Sequence, residues 1–159
     1  MQVKELGHVV LYVRDIERSR RFYRDVLGFP ELDMSGGADG ERGEGMRFPA
    51  AAFSTGRTHH ELLLIEVGPD AADLPPGRRV GMYHFGLKVG DSDDELREAL
   101  RAIQEHGVDY VGASDHTVTH SLYIRDPDGH EIELYIDVPG VDWRNDPSLV
   151  MAPIKALQL

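Results

Sequence analysis

HVVLYVRD at 8–15 and HFGLKVGD at 84–91 are one short phrase written twice. Each opens on a histidine, alternates through apolar residues and reaches an Asp seven positions later, where a helix-like pattern begins. A chain that spells one strand-to-helix start twice folds one unit twice, and such a fold would bring His8 and His84 together. A carboxylate, Glu133, lies in EIELYID at 131–137, near the end of the patterned region. Two His and one carboxylate are the ligand set of a non-haem Fe(II) site with open coordination positions.

The elements between the two phrases repeat as well. In the first half a strand at 8–14 leads to the N-cap Asp15. A helix follows, with Ile16, Ser19, Phe22, Tyr23, Val26 and Leu27 on one face and Arg18, Arg20, Arg21 and Arg24 on the other, stopped by Gly28. Strands are expected at 29–34, 48–54 and 60–67, with the glycine-rich run 35–45, SGGADGERGEG, as a mobile loop. GPDAADLPPGRRVG at 68–81 is linker chemistry. The order then restarts: a strand at 84–89, a capping box of Ser92 and Glu95, a helix marked by Leu96, Ala99, Leu100 and Ile103, and Gly107 as its end. Strands at 108–112, 120–126 and 131–137 complete it, the last two joined by the turn DPDG at 126–129. The expected fold is α+β, two tandem βαβββ modules forming a curved mixed sheet around a metal-containing cup. Residues 1–159 are read as one domain, with module one at about 5–67, linker 68–81, module two at about 82–138 and a tail at 139–159. The tail has no clear period, and wrapping the outer surface or reaching a neighbouring chain are both open to it.

Strand parity tests whether the candidate ligands point one way. Ile132, Leu134 and Ile136 form one face of the last strand, leaving Glu131, Glu133 and Tyr135 on the other. Phe85, Leu87 and Val89 leave His84 opposite; Val9, Leu11 and Val13 leave His8 opposite; Leu122 and Ile124 leave Tyr123 on the His and Glu side. In HHELLLIE at 59–66 both faces are apolar, so parity does not choose between His60 and Glu61, and His59 competes with His60 for the inward position. His106 reads as a helix C-terminal cation, His120 as a minor cup residue and His130 as a solvated turn residue.

Composition narrows the partners. With 41% hydrophobic and 28% charged residues, 159 residues suffice to bury a core. No stretch has the apolar length of a membrane span and the start MQVKELGH carries no signal-peptide pattern, so a cytoplasmic protein without a membrane partner is expected. Seventeen Lys+Arg against 28 Asp+Glu give a net charge of −11, which repels a polyanion and argues against nucleic acid. Without cysteine, disulfides, thiolate metal sites and Cys nucleophiles are excluded, and any metal sits among His, Asp and Glu.

With these residues placed, the chain resembles the vicinal oxygen chelate (glyoxalase/bleomycin resistance/dioxygenase) superfamily, and within it most resembles the single-unit type I extradiol catechol 2,3-dioxygenases. The specific part is His116, then Leu122 and Tyr123, then DPDG at 126–129 and Glu133, which looks like the extradiol signature; Ser114 departs from it. The resemblance implies His8, His84 and Glu133 as metal ligands, His60 as active-site acid and base, and His116 and Tyr123 as hydrogen-bonding partners of the substrate's oxygens. It also implies Fe(2+) as cofactor, with Mn(2+) accepting the same ligands, a small aromatic diol and O2 as substrates, and a role in aromatic catabolism. Oligomeric state stays open, a homodimer being common among related folds. Large members carry four modules and this chain two.

Three facial protein ligands leave three positions on an octahedral ion, enough for a bidentate diolate and dioxygen. Rival readings use the same fold. A glyoxalase-like lyase or isomerase adds a second carboxylate, for which Glu61 is the obvious donor. A metal-dependent thiol transferase wants a potassium loop and a basic patch that the sequence does not offer, and a drug-binding protein lacks metal ligands altogether.

Overall fold

Asp15 and Ser92, the two caps read from the sequence, each start a helix, and each helix belongs to its own unit. The computed structural model describes residues 1–34 and 48–159. Contacts divide the chain into Met1–Asp73 and Leu74–Leu159, the boundary falling inside the Gly/Pro-rich stretch 68–81.

The first unit runs β1 (Val9–Val13), α1 (Ile16–Arg21), one π-helical turn (Phe22–Val26), β2 (Ala50–Phe53) and β3 (Leu62–Glu66). Its sheet has the order β1-β3-β2, with β1 parallel and β2 antiparallel to β3. The Asp15 side chain accepts from the Arg18 N–H at 2.9 Å, leaving α1 with a satisfied first turn. Leu11, Val13, Ile16, Tyr23, Phe53, Leu62 and Leu64 are buried, while Val10 and Tyr12 are exposed, as alternation along β1 requires. The strand expected at 29–34 is reduced to a single bridge between Glu31 and Phe53, flanked by the bonds Leu32 N–H to Ala52 O and Ser54 N–H to Pro30 O. Pro30 has no N–H to give a ladder, and the Glu31 side chain is turned to Arg20 and Arg24. The expected loop 35–45 lies outside the described residues.

The second unit holds the complete repeat: β4 (His84–Gly90), α2 (Asp93–Glu105), β5 (Asp109–Asp115), β6 (Thr119–Arg125) and β7 (Glu131–Asp137), in the sheet order β4-β7-β6-β5. Only β4 and β7 pair in parallel. The α+β class and the tandem modules are therefore as expected, each module carrying its own mixed sheet. The capping box forms: Ser92 Oγ accepts from the Glu95 N–H at 3.4 Å, and the Glu95 carboxylate accepts from the Asp91 N–H and the Ser92 hydroxyl, both at 2.8 Å. Those donors, Asp91 first, hold the Glu95 acid below its ordinary range. Gly90 makes room for this arrangement, since a Cβ there would stand 2.6 Å from Glu95 Cβ.

Leu96 and Ile103 of α2 pack with Leu122, Ile124, Ile132, Leu134 and Ile136 as the core of this unit. His130 corrects its reading as a solvated residue: its side chain is 11% exposed, with Nδ1 2.9 Å from Asp126 Oδ2. The Asp126 carboxylate also accepts from the N–H groups of Asp128 and His130, so it organises the whole DPDG turn. The tail contains a 3-10 turn (Pro147–Met151) and then pairs Lys155 with Asp115 of β5, through N–H to O bonds of 2.9 and 3.0 Å in the two directions. It returns to the sheet edge of its own unit. Among the described residues no helix is long and apolar enough to cross a membrane.

These assignments order two substitutions. Ser92→Ala should lower unfolding stability by about 1 kcal/mol, whereas Leu122→Ala in the core should lose about 2–5 kcal/mol. Urea denaturation of both variants measures the two losses, and equal losses would contradict the core assignment.

Candidate metal and diol site

The register of β4, β6 and β7 gathers one set of polar side chains. His84 stands opposite Glu131 and Gly86 opposite Glu133 across the parallel pair, while Tyr123 stands opposite Glu133 and Ser121 opposite Tyr135 across the antiparallel pair. With Ile132, Leu134 and Ile136 committed to the core, Glu131, Glu133, His84, Ser121 and Tyr123 share the other face.

Glu133 is the centre of this group. Its Oε1 accepts from Ser121 Oγ at 2.6 Å and from Tyr123 OH at 3.2 Å, and its Oε2 lies 3.2 Å from His84 Nε2. One oxygen is thus held by hydroxyls and the other faces an imidazole nitrogen. Gly86 keeps space beside that second oxygen, since a Cβ there would come 3.8 Å from Oε2 and 3.1 Å from the Tyr135 ring. His84 Nδ1 is buried without a hydrogen-bond partner, the Glu131 carboxylate standing 3.8 Å away. A carboxylate oxygen and an imidazole nitrogen facing each other across an uncrowded space are a fitting pair of donors for a divalent cation.

His116, just beyond β5, places Nε2 2.6 Å from Tyr123 OH. The phenol has one proton, and when it is given to Glu133 the histidine must be the donor, from a protonated Nε2. Burial first, then the negative Glu133 alongside, push the Tyr123 phenol above the usual tyrosine range, so it stays a donor at neutral pH. The second unit thus brings His84, Glu133, Tyr123 and His116 together. His120 does not join them. Its parity follows Leu122, and Nδ1 meets Asp93 of α2 at 2.6 Å, which corrects its reading as a cup residue.

In the first unit His8, His59 and His60 form a cluster. The His8 ring centroid is 4.4 Å from that of His60 and 5.9 Å from that of His59, and the Nδ1 atoms of His59 and His60 are 2.6 Å apart, so one donates and the other accepts. Both members of the adjacent pair accompany His8. Burial, then the neighbouring His59 and His8, lower the His60 pKa. Burial raises the Glu61 carboxyl, but the Thr55 N–H at 2.6 Å and hydroxyl at 2.8 Å outweigh it and leave it below its ordinary value; Arg57 stands 3.3 Å away. Among the described residues, no three His, Asp or Glu side chains gather into a group able to hold a metal.

The two registers also show where the repeat diverges. Val10 pairs with Leu63 in the first unit as Gly86 pairs with Glu133 in the second. The position matching the carboxylate Glu133 is therefore a leucine. Sequence reading missed Ser121, whose signal was its shared parity with Tyr123 two residues later.

Residues 5–134 match the family model described as the glyoxalase/bleomycin resistance protein/dioxygenase superfamily. The chain is 36% identical over 141 residues to a catechol-2,3-dioxygenase of Bacillus subtilis, an alignment covering 89% of this chain and 44% of that one. It is 35% identical over 140 residues to an iron-dependent extradiol dioxygenase of Rhodococcus jostii, covering 80% of this chain and 41% of the relative. It thus spans less than half the length of either. A glyoxylase/bleomycin resistance protein/dioxygenase domain from Frankia sp. shares the fold, with a TM-score of 0.65, 23% identity and coverage of 86% and 99% of the two chains.

The environment of Tyr123 has a spectroscopic consequence. In an ultraviolet pH titration the folded protein should contain phenols that ionise above the ordinary tyrosine range, Tyr83, Tyr123 and Tyr135 among them, and Tyr123→Phe should remove the one that ionises at the highest pH. A highest-pH component unchanged in the variant would contradict the burial and charge argument.

Proposed function

Because the chain belongs to the glyoxalase/bleomycin resistance protein/dioxygenase superfamily, we propose that it is an extradiol dioxygenase, opening a catechol-type ring next to the diol with O2. The observation that carries this is the treatment of Glu133: two hydroxyls hold one oxygen while the other faces His84 Nε2 across the space left by Gly86. The names of relatives at 35% and 36% identity, one of them iron-dependent, support the same reading.

In the second unit His84 and Glu133 would hold the metal, with Fe(2+) as the ion and Mn(2+) able to take the same donors, and the repeat makes His8 the matching histidine ligand of the first unit. An iron(II) ion held by such donors would bind a diol and dioxygen together and make the diol hydroxyls more acidic. The remaining chemistry belongs to side chains. Ser121 fixes Glu133 Oε1, so the carboxylate presents Oε2 without a rotational search. Tyr123, coupled to His116 at 2.6 Å, donates to charge that develops on the substrate's oxygens by turning its proton from Glu133 to the substrate, while His116 Nε2–H supports the phenol oxygen. In the first unit His60 has its Nδ1 engaged with His59, which leaves Nε2 as the atom suited to take up and return a proton in the role of acid and base.

The register argues against the non-redox alternative. A glyoxalase-like lyase adds a second carboxylate, but Leu63 stands where the repeat would supply one, and Glu61 is engaged by Thr55 and Arg57. An extradiol site needs only the one. We further place the protein in the cytoplasm, acting in aromatic catabolism on a soluble aromatic diol.

Anaerobic loading with Fe(2+), followed by catechol and air, tests the proposal. A yellow ring-cleavage product should form, and Glu133→Ala or His84→Ala should abolish it. Catechol left unchanged by the iron-loaded protein, or full activity in Glu133→Ala, would overturn the reading.

A further inference from the structure

Thr117 is the only non-glycine residue with positive φ among the described residues, at +70°, and it follows His116 directly. The Val118 N–H donates to the His116 carbonyl across it at 2.8 Å, which closes a three-residue γ-turn of the uncommon, strained hand. A β-branched residue is a poor occupant of this backbone region, where a turn ordinarily places Asn or Gly. Here the loop between β5 and β6, residues 116–118, has Thr117 in that place instead. Strain of this kind persists only where the surroundings over-determine it.

The surroundings do so from four directions. Asp115 Oδ1 accepts from the Thr117 N–H at 2.6 Å, and the His116 N–H donates to Thr119 O at 2.9 Å. The Val118 carbonyl accepts from the Val138 N–H at 2.9 Å. Asp115 is itself clamped by the tail, giving its N–H to Lys155 O and accepting the Lys155 N–H. The side chain emerging from this turn is His116, with Nε2 2.6 Å from Tyr123 OH. The tail thus comes back to the residue that starts the strained turn.

We propose that the Asp115–Thr117 turn and the C-terminal tail that pairs with it through Lys155 are a positioning device, which aims His116 at Tyr123 and holds the two as one donor pair. Thr117 and Lys155 are positioning residues: neither touches a substrate, and both act through His116. The importance of the pair for turnover rests on the dioxygenase reading above, but its geometry does not. A left-handed backbone at 117 points the following chain back into β6 and leaves the His116 ring one direction to take. Relaxing the turn leaves the ring free to swing away from the phenol.

Two full-length variants test this: Thr117→Gly, which removes the strain while freeing the backbone, and Lys155→Pro, which deletes the N–H that the tail gives Asp115. The primary readout is nitrogen and proton NMR of the His116 ring in the metal-free protein. In the wild type Nε2–H should be protected from exchange by Tyr123; in each variant that protection should fall while the melting temperature of Thr117→Gly stays at or above the wild-type value. In the iron-loaded protein kcat for catechol should fall by about tenfold to a hundredfold, with KM less affected. Unchanged His116 protection in Thr117→Gly would overturn the proposal, and that variant decides alone if Lys155→Pro fails to fold. The control His116→Ala separates the two claims, since unchanged catechol kinetics there would remove the substrate role of His116, while the NMR result tests the positioning independently.

Discussion

The two-residue period of β7 is the constraint from which the site follows. Ile132, Leu134 and Ile136 are sealed in the core, so Glu131, Glu133 and Tyr135 have no choice of face. A register slip of one residue would put those two carboxylates and the phenol into the core and three aliphatic side chains outside it. The hydrophobic effect thereby fixes where a charged group stands, and β4 and β6, paired on either side, deliver His84, Ser121 and Tyr123 to the same place. Glu133 is then oriented through one oxygen, which makes it a carboxylate held in one direction instead of a mobile surface charge.

The duplicated unit was put to unequal use. Both copies keep a histidine ahead of the first strand's core residues, at His8 and His84, and both keep an acid at the matching positions Glu61 and Glu131. Only the second copy has a carboxylate at the next inward-register position, and only there does glycine leave space beside it; the first copy has Leu63 and Val10. One copy specialised in holding a carboxylate and its hydroxyl partners, the other in presenting a cluster of imidazoles. A divalent ion held as proposed would have one carboxylate ligand and keep a net positive charge.

Much of this could be read from residues alone, where a feature is local. Alternation in EIELYID placed Glu133, the matched phrases marked His8 and His84 as equivalent positions of the two copies, and the capping box at Ser92 and Glu95 and the DPDG turn formed as their chemistry dictates. What could not be read depends on partners distant in sequence. Ser121 looks like any strand serine until β7 brings Glu133 opposite its neighbour. The strand expected at 29–34 failed because a missing N–H at Pro30 and two arginines competed for Glu31. His130 and His120 found carboxylates, Asp126 and Asp93, that no periodicity announces. The strain at Thr117 is invisible in a sequence where glycine would have been the signal, and the return of Lys155 to Asp115 crosses forty residues without a repeating pattern.

The central claim is that Ser121 makes Glu133 a ligand by holding one of its oxygens. Anaerobic calorimetric titration with Fe(2+) of the wild type against Ser121→Ala measures this directly. A loss of affinity of about tenfold to a hundredfold in the variant is the predicted result. Equal affinities would contradict the account.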